Sequence, residues 1–269
     1  MTQAYNLLID IGNTFVKWGR YSMADAAAIA SHAHQPDTHE IESGRALQEE
    51  IASLFRLFRR HETPQQVVIS NVAGTRARAM ILRALEAWPE APQPHWLTSQ
   101  AVQCGVTNGY RNPGQLGTDR WASLIAARAL YPGHAVFVVT CGTATTMDLL
   151  SAQSVTEGRF EGGCILPGLG LMIRSLHEGT AALPDADGDY ADHPTQTVDA
   201  IVSGCQHAQA GAIERLFLRH QLKHPALRLV LSGGAAKTLA PRVAVPFTAR
   251  DNMVLEGLYQ VAQSLNLGK

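Results

Sequence analysis

Cysteine is scarce in this chain. The four present are Cys104, Cys141, Cys164 and Cys205, and no two stand in Cys-x-x-Cys spacing. That excludes a disulfide framework as the basis of the fold and fits a reducing cytosol. It also leaves no zinc set, because Cys205 and His207 find no second pair to complete a tetrahedron. An excess of charge of either sign is missing too: 22 Lys and Arg stand against 23 Asp and Glu, a net charge of −1. The chain therefore has no global field to hold nucleic acid or an anionic membrane. No run of eighteen apolar residues occurs, so no transmembrane helix is expected. The start, MTQAYNLLIDIGNT, lacks a basic segment and Asp10 interrupts its apolar stretch, so it does not read as a signal peptide. A Walker A loop and a Gly-x-Gly-x-x-Gly fingerprint are both absent, which removes the defining residues of the P-loop and Rossmann folds.

What is present is enough apolar matter for a large core. The 269 residues are 46% hydrophobic and 17% charged, which excludes a disordered chain. At roughly 150 residues per domain the length allows one large domain or two modest ones. The pattern predicts a strand at 5–11, a tight Asp-Ile-Gly-Asn-Thr turn and a returning strand at 15–21. Residues 24–33 can add a third strand. Leu47, Ile51, Leu54, Phe55 and Phe58 give residues 42–61 helical spacing. A β-branched strand follows at 66–71 and a helix at 75–88. The stretch 98–118, rich in Gly, Asn, Thr and Pro, reads as a crossing between halves, with a helix at 119–131 after it.

The opening pattern then returns. A strand at 135–139 meets Cys141-Gly142-Thr143-Ala144-Thr145-Thr146 as a turn, and a second strand begins at Met147. We read this as an internal duplication. Helices are expected at 167–178, 197–220 and 251–265, and a strand at 228–231 ends in Ser232-Gly233-Gly234.

Three glycine-rich strand ends say more than any one of them. The turn at Asp10, Gly12, Asn13 and Thr14 brings backbone N–H groups together, a concavity suited to phosphate oxygens. Thr14 adds a hydroxyl, Lys17 a positive charge, and Asp10 a carboxylate fit for hydrated Mg²⁺. An ordinary hairpin also uses Asn and Gly. With Gly142-Thr143 and Gly233-Gly234 added, the pattern suggests a nucleotide between two similar halves. Asp119, in Gly117-Thr118-Asp119-Arg120, suits either a helix cap or the base that accepts a hydroxyl proton in phosphoryl transfer. Arg120 beside it supplies an anion-binding cation. Residues 162–168 read as a flexible approach to a helix, lining a pocket or forming a plain loop. Cys164 within them is expected as a small core residue, having no basic partner nearby in sequence.

DIGNTFVK at 10–17, Tyr110 with NPGQLGTDR at 112–120, GTATT at 142–146, GGCILPGLGLM at 162–172 and TAALP at 180–184 occur in an order that resembles type III pantothenate kinase. The motifs span nearly the whole chain. The resemblance implies an α/β fold of two duplicated ribonuclease H-like, actin-like ATPase halves, each a mixed five-stranded sheet flanked by helices. The halves are expected at 1–115 and 116–269. It implies phosphorylation of pantothenate by ATP, the first step of coenzyme A synthesis, in a cytoplasmic homodimer that binds neither nucleic acid nor membrane.

By residue, the resemblance places Asp10, Ile11, Gly12, Asn13, Thr14, Phe15, Val16, Lys17 and Thr143 on ATP, with Mg²⁺ at Asp10 through water. It makes Asp119 the general base. Tyr110, Gly117, Thr118, Asp119 and Arg120 would contact pantothenate, joined by Thr197 from the partner subunit. One position departs from the family pattern. Family members carry Asp two residues before GTATT, where it helps hold potassium or ammonium; this chain has Thr140. A hydroxyl or carbonyl can coordinate a cation there, but the charge is gone. Two other functions remain in view: a non-catalytic, nucleotide-binding accessory or regulatory relative, and a different small-molecule kinase of the same superfamily.

Overall fold

The computed structural model describes residues 4–22, 40–180 and 187–267. The strand expected at 24–33 and the motif residues 181–184 lie outside the described residues. Two units emerge, one of Met1–Gly133, Gln153–Phe160 and Met253–Lys269, the other of His134–Ala152 and Glu161–Asn252.

In the first unit, β1 (Tyr5–Ile11) is buried along its whole length, as its unbroken apolar run requires of a central strand. It pairs antiparallel with β2 (Phe15–Ser22), which pairs antiparallel with β3 (Glu40–Leu47). On its other side β1 pairs parallel with β4 (Gln66–Asn71), followed by the two-residue β5 (His95–Trp96). The order is β3-β2-β1-β4-β5. Side chains alternate between the two faces. Tyr5, Leu7, Ile9 and Ile11 form a core with α1 (Ile51–Phe58) and α2 (Gly74–Leu85), in which Phe58 stacks on Trp88 at 5.0 Å. The opposite face, which carries Asn6, Leu8 and Asp10, lies on the side of α3 (Thr118–Leu130) and α7 (Met253–Leu267). Those two helices pack closely because Gly257 has no Cβ, which would collide with the Ala122 carbonyl. The unit also holds β6 (Val102–Gln103), β7 (Val106–Asn108) and the first residues of β10 (Gly158–Pro167), which pair parallel with β7.

The second unit repeats the first. Its strand β8 (Val136–Cys141) pairs antiparallel with β9 (Ala144–Ala152) and parallel with β11 (Arg228–Ser232), which pairs parallel with β12 (Thr248–Arg250). The second sheet reads β12-β11-β8-β9-β10-β7-β6, so β10-β9-β8-β11-β12 follows the order of β3-β2-β1-β4-β5. This is the duplication expected from the sequence, with two mixed sheets flanked by helices. Phe137, Val139, Leu149, Leu229 and Leu231 build its core against α5 (Thr197–Gln221), with α4 (Leu169–Gly179) and α6 (Ala236–Leu239) contributing Leu169 and Leu239.

Four expectations need correction. The helix predicted over 42–61 is confined to α1, because residues 40–47 pair with β2 as the third strand. Their exposure alternates with period two, and Gly44 lets the Trp18 ring lie against the backbone, where a Cβ would come within 2.8 Å of it. Cross-strand pairing outweighed the helical spacing. The approach at 162–168 is mostly β10, and the turn at GTATT is shorter than drawn, since Ala144–Thr146 already belong to β9. The crossing at 98–118 contains β6 and β7.

Candidate active site

The first turn is closed by a hydrogen bond from Gly12 N to Phe15 O at 3.0 Å. Asn13, Thr14 and Phe15 are exposed, so the turn presents its backbone outward. Ile11 and Val16 point into the core, and what they can offer a phosphate is backbone. Asp10 is buried at the end of β1, in register with Lys17 on one side and Ser70 on the other. Burial, and then the charge of Asp119, push its carboxyl up to about 7, against the pull of Lys17 and a hydrogen bond from Ser70. Its Oδ1 is buried without a hydrogen-bond partner. A buried carboxylate oxygen with nothing to bind is costly unless a ligand takes it.

Asp119 sits on the first turn of α3, behind Gly117 at the N-cap. Its carboxylate does not cap the helix from outside; Oδ1 accepts from the N–H of Arg120 at 2.8 Å. Burial raises its pKa, while that hydrogen bond and the Arg120 guanidinium hold it back. Gly117 leaves this carboxylate its room, since a Cβ would stand 2.6 Å from Asp119 Oδ1 and displace it. Arg120 is itself buried and donates to Tyr110 Oη at 3.1 Å. Its guanidinium also lies 5.8 Å from both the Tyr110 and Phe160 ring centres, an aromatic seat for a cation. Thr118 Oγ1 lies 3.0 Å from Ser70 Oγ.

The first unit thus brings together Asp10, Lys17, Thr118, Asp119, Arg120 and Tyr110. Sequence reasoning missed Ser70 and Phe160. Ser70 sits in a β-branched run that reads as core, and its only signal is the parallel register with Asp10. Phe160 gives no signal short of the fold, because its partner Tyr110 is fifty residues away.

In the second unit, Gly142 N donates to Ala144 O, and Gly168 N to Thr143 O, each at 3.0 Å. A Cβ on Gly168 would come within 2.6 Å of the Thr143 carbonyl oxygen. Gly233, at φ +99°, similarly lets the backbone pass against Cys141. Thr143 is exposed at this turn. Thr140 is half-buried, in register with Thr146 and Ser232. Thr197 begins α5 and, with Met172, Leu176, Ala200, Ile201, Gly204 and Cys205, lines a cavity of about 420 Å³. Cys164 is exposed, a correction: it lies where β10 turns its residues to solvent. Among the described residues no cluster of three His, Cys, Asp or Glu could hold a metal. No described helix is long and apolar enough to cross a membrane.

A family model described as type III pantothenate kinase matches residues 6–219. A type III pantothenate kinase of Aromatoleum aromaticum is 47% identical over 258 residues, covering 96% of this chain and 97% of the relative. That of Dechloromonas aromatica is 44% identical over 254 residues, covering 94% and 97%. Among solved structures, a Campylobacter jejuni protein described as a conserved candidate Baf family transcriptional activator aligns over 97% of this chain and 99% of its own. Its TM-score is 0.53 at 18% identity, a likeness of fold.

Proposed function

The chain belongs to the type III pantothenate kinase family and phosphorylates pantothenate with ATP in coenzyme A biosynthesis, and we propose that Asp119 is the base of that reaction. The observation that carries this assignment is a half-buried carboxylate with a raised pKa, held on a helix start beside a buried arginine. Phosphoryl transfer is mostly positioning and charge stabilisation. Asp119 accepts the hydroxyl proton of pantothenate as its oxygen bonds to the γ-phosphorus and the bond to the ADP oxygen breaks. Thr118, Arg120 and Tyr110 orient the pantothenate, and the N–H groups and hydroxyls of residues 12–14, with Lys17, hold the phosphates.

Asp10 fits Mg²⁺, because its Oδ1 is buried and otherwise unpaired. When bound, Mg²⁺ offsets the charge of the phosphate oxygens. The monovalent cation that the resemblance implies fits less well. Thr140, Thr146 and Ser232 are neutral, and the next carboxylate along β9, Asp148, stands opposite Val138 and has an interaction partner of its own. No step is routed through that cation. We place the enzyme in the cytoplasm as a homodimer, with Thr197 reaching the partner's substrate and no nucleic acid or membrane bound. A balanced net charge supports the last point.

The test is ADP release with pantothenate and Mg·ATP. Absence of turnover across potassium, ammonium and sodium salts overturns the assignment, and nucleotide binding without turnover favours the accessory reading instead.

A further inference from the structure

Gln209 sits at the middle of α5 and is fully buried. Its Nε2 donates to Pro167 O at 2.6 Å and lies 2.9 Å from Met172 Sδ. Chemistry fixes the orientation of this amide: a carbonyl oxygen only accepts, so the group facing Pro167 O must be the NH₂. Oε1 is then buried with no hydrogen-bond partner among the described residues. A methionine or leucine would fill this space without orphaning a polar atom. Packing therefore does not account for a glutamine here, and the bond to Pro167 does.

That bond lands directly behind the GTATT turn. The next residue, Gly168, is buried and donates its N–H to Thr143 O at 3.0 Å. It lies so close to the Gly142 and Thr143 carbonyls that no side chain fits. The Pro167 carbonyl and the Gly168 N–H belong to one planar peptide. That plane takes Gln209 on one edge and gives to Thr143 on the other. Hydrogen bonds in series polarise one another, so a donor on the Pro167 carbonyl strengthens the Gly168 N–H as a donor. No peptide among the described residues is cis, so each N–H points opposite its own C=O. With the carbonyls of Gly142 and Thr143 turned toward Gly168, the N–H groups of Thr143 and Ala144 are turned away from it. Thr143 is exposed, so burial does not hold it. The Gly168 bond holds it from behind.

We infer that Gln209 is a positioning residue for ATP: through the Pro167–Gly168 peptide it sets the GTATT turn, and with it the N–H groups of Thr143 and Ala144, in place for the nucleotide. This rests on the reading that the GTATT turn contacts ATP. A glutamine that served the core alone would, when removed, weaken both substrates alike. One that sets this turn weakens ATP alone.

The experiment is steady-state kinetics on Gln209→Met and Gln209→Leu, with Gly168→Ala alongside and melting curves on all three. Gly168→Ala displaces the turn directly, because its Cβ meets two backbone carbonyls. Both glutamine variants are expected to melt cooperatively and to raise KM for ATP about three- to tenfold, the scale of one hydrogen bond. KM for pantothenate and kcat are expected to stay within about twofold, the mark of a lost binding contact. A KM for ATP that is unchanged in the glutamine variants but raised in Gly168→Ala overturns the inference and leaves the turn's contact with ATP standing. A KM for ATP unchanged in Gly168→Ala removes that contact, and the inference with it. KM values that rise alike for both substrates, or two glutamine variants that no longer fold, show a residue serving the core and overturn the inference too.

Discussion

Asp10 at the end of β1 lies within electrostatic reach of Asp119 on the first turn of α3, and that second charge adds to burial in raising the Asp10 carboxyl to about 7. A second acid near a buried carboxyl holds its ionisation back. The substrate-side carboxylate thus bears on the nucleotide-side one before any ligand arrives. A cation at Asp10 would relieve that effect.

That coupling has a consequence for stability. In the folded protein Asp10 keeps its proton up to about pH 7, whereas in the unfolded chain it loses it near 3.8. The native state binds more protons between those values, so this contribution is full below pH 3.8 and is lost as pH rises through about 7. A shift of that size corresponds to at most about 4 kcal/mol. Asp10→Asn is expected to melt higher than wild type at pH 8 without Mg²⁺, with the advantage shrinking toward pH 4. Melting curves across pH check it, and a variant less stable than wild type at pH 8 contradicts it.

Asp119→Asn keeps the shape of the side chain and removes its capacity to take a proton. Turnover is expected to fall on the order of 10²–10⁴-fold, the usual contribution of a positioned base. Nucleotide affinity is expected to stay near wild type, because the phosphate turn lies on β1 and β2. Rapid-quench kinetics and calorimetric ATP titration separate the two quantities, and near-normal turnover would refute the role of base.

Gly168→Ala tests the second turn. The added Cβ would run into the carbonyl oxygens of both Gly142 and Thr143. Backbone cannot step aside as a side-chain end does, so a loss of about 2 kcal/mol is expected, the cost of overpacking a rigid contact. Gly12→Ala is the milder comparison, with its Cβ 3.2 Å from Phe15 O. Chemical denaturation of both variants gives the order, and equal stabilities contradict it.

The local setting of the candidate residues was legible because they sit in short runs: Asp10 to Lys17 on one hairpin, Gly117 to Arg120 on one helix start. Those runs carry their own geometry. The duplicated strand–turn–strand pattern was legible for the same reason. What escaped were residues whose meaning comes from pairing across the fold. Ser70 matters because β4 lies beside β1, and residues 40–47 are a strand because β2 offers them an edge. Local spacing holds no record of either neighbour. Cys164 was misplaced likewise: its apolar character suggests burial, but it lies in the stretch 163–165 of β10, where consecutive residues are all exposed.

Thr140 yields the last prediction. A cation held inside a protein needs compensating charge, since its desolvation is expensive. The ladder around Thr140 offers the hydroxyls of Thr146 and Ser232, which supply oxygens without charge. The rate of this enzyme is therefore expected to be the same in potassium, ammonium, sodium or a bulky organic cation at constant ionic strength. Thr140→Asp restores a carboxylate at the end of β8, and its rate is expected to become dependent on potassium. A wild-type rate that collapses when potassium and ammonium are withdrawn would show that neutral oxygens suffice to hold the ion, and that the missing carboxylate is not what decides cation use.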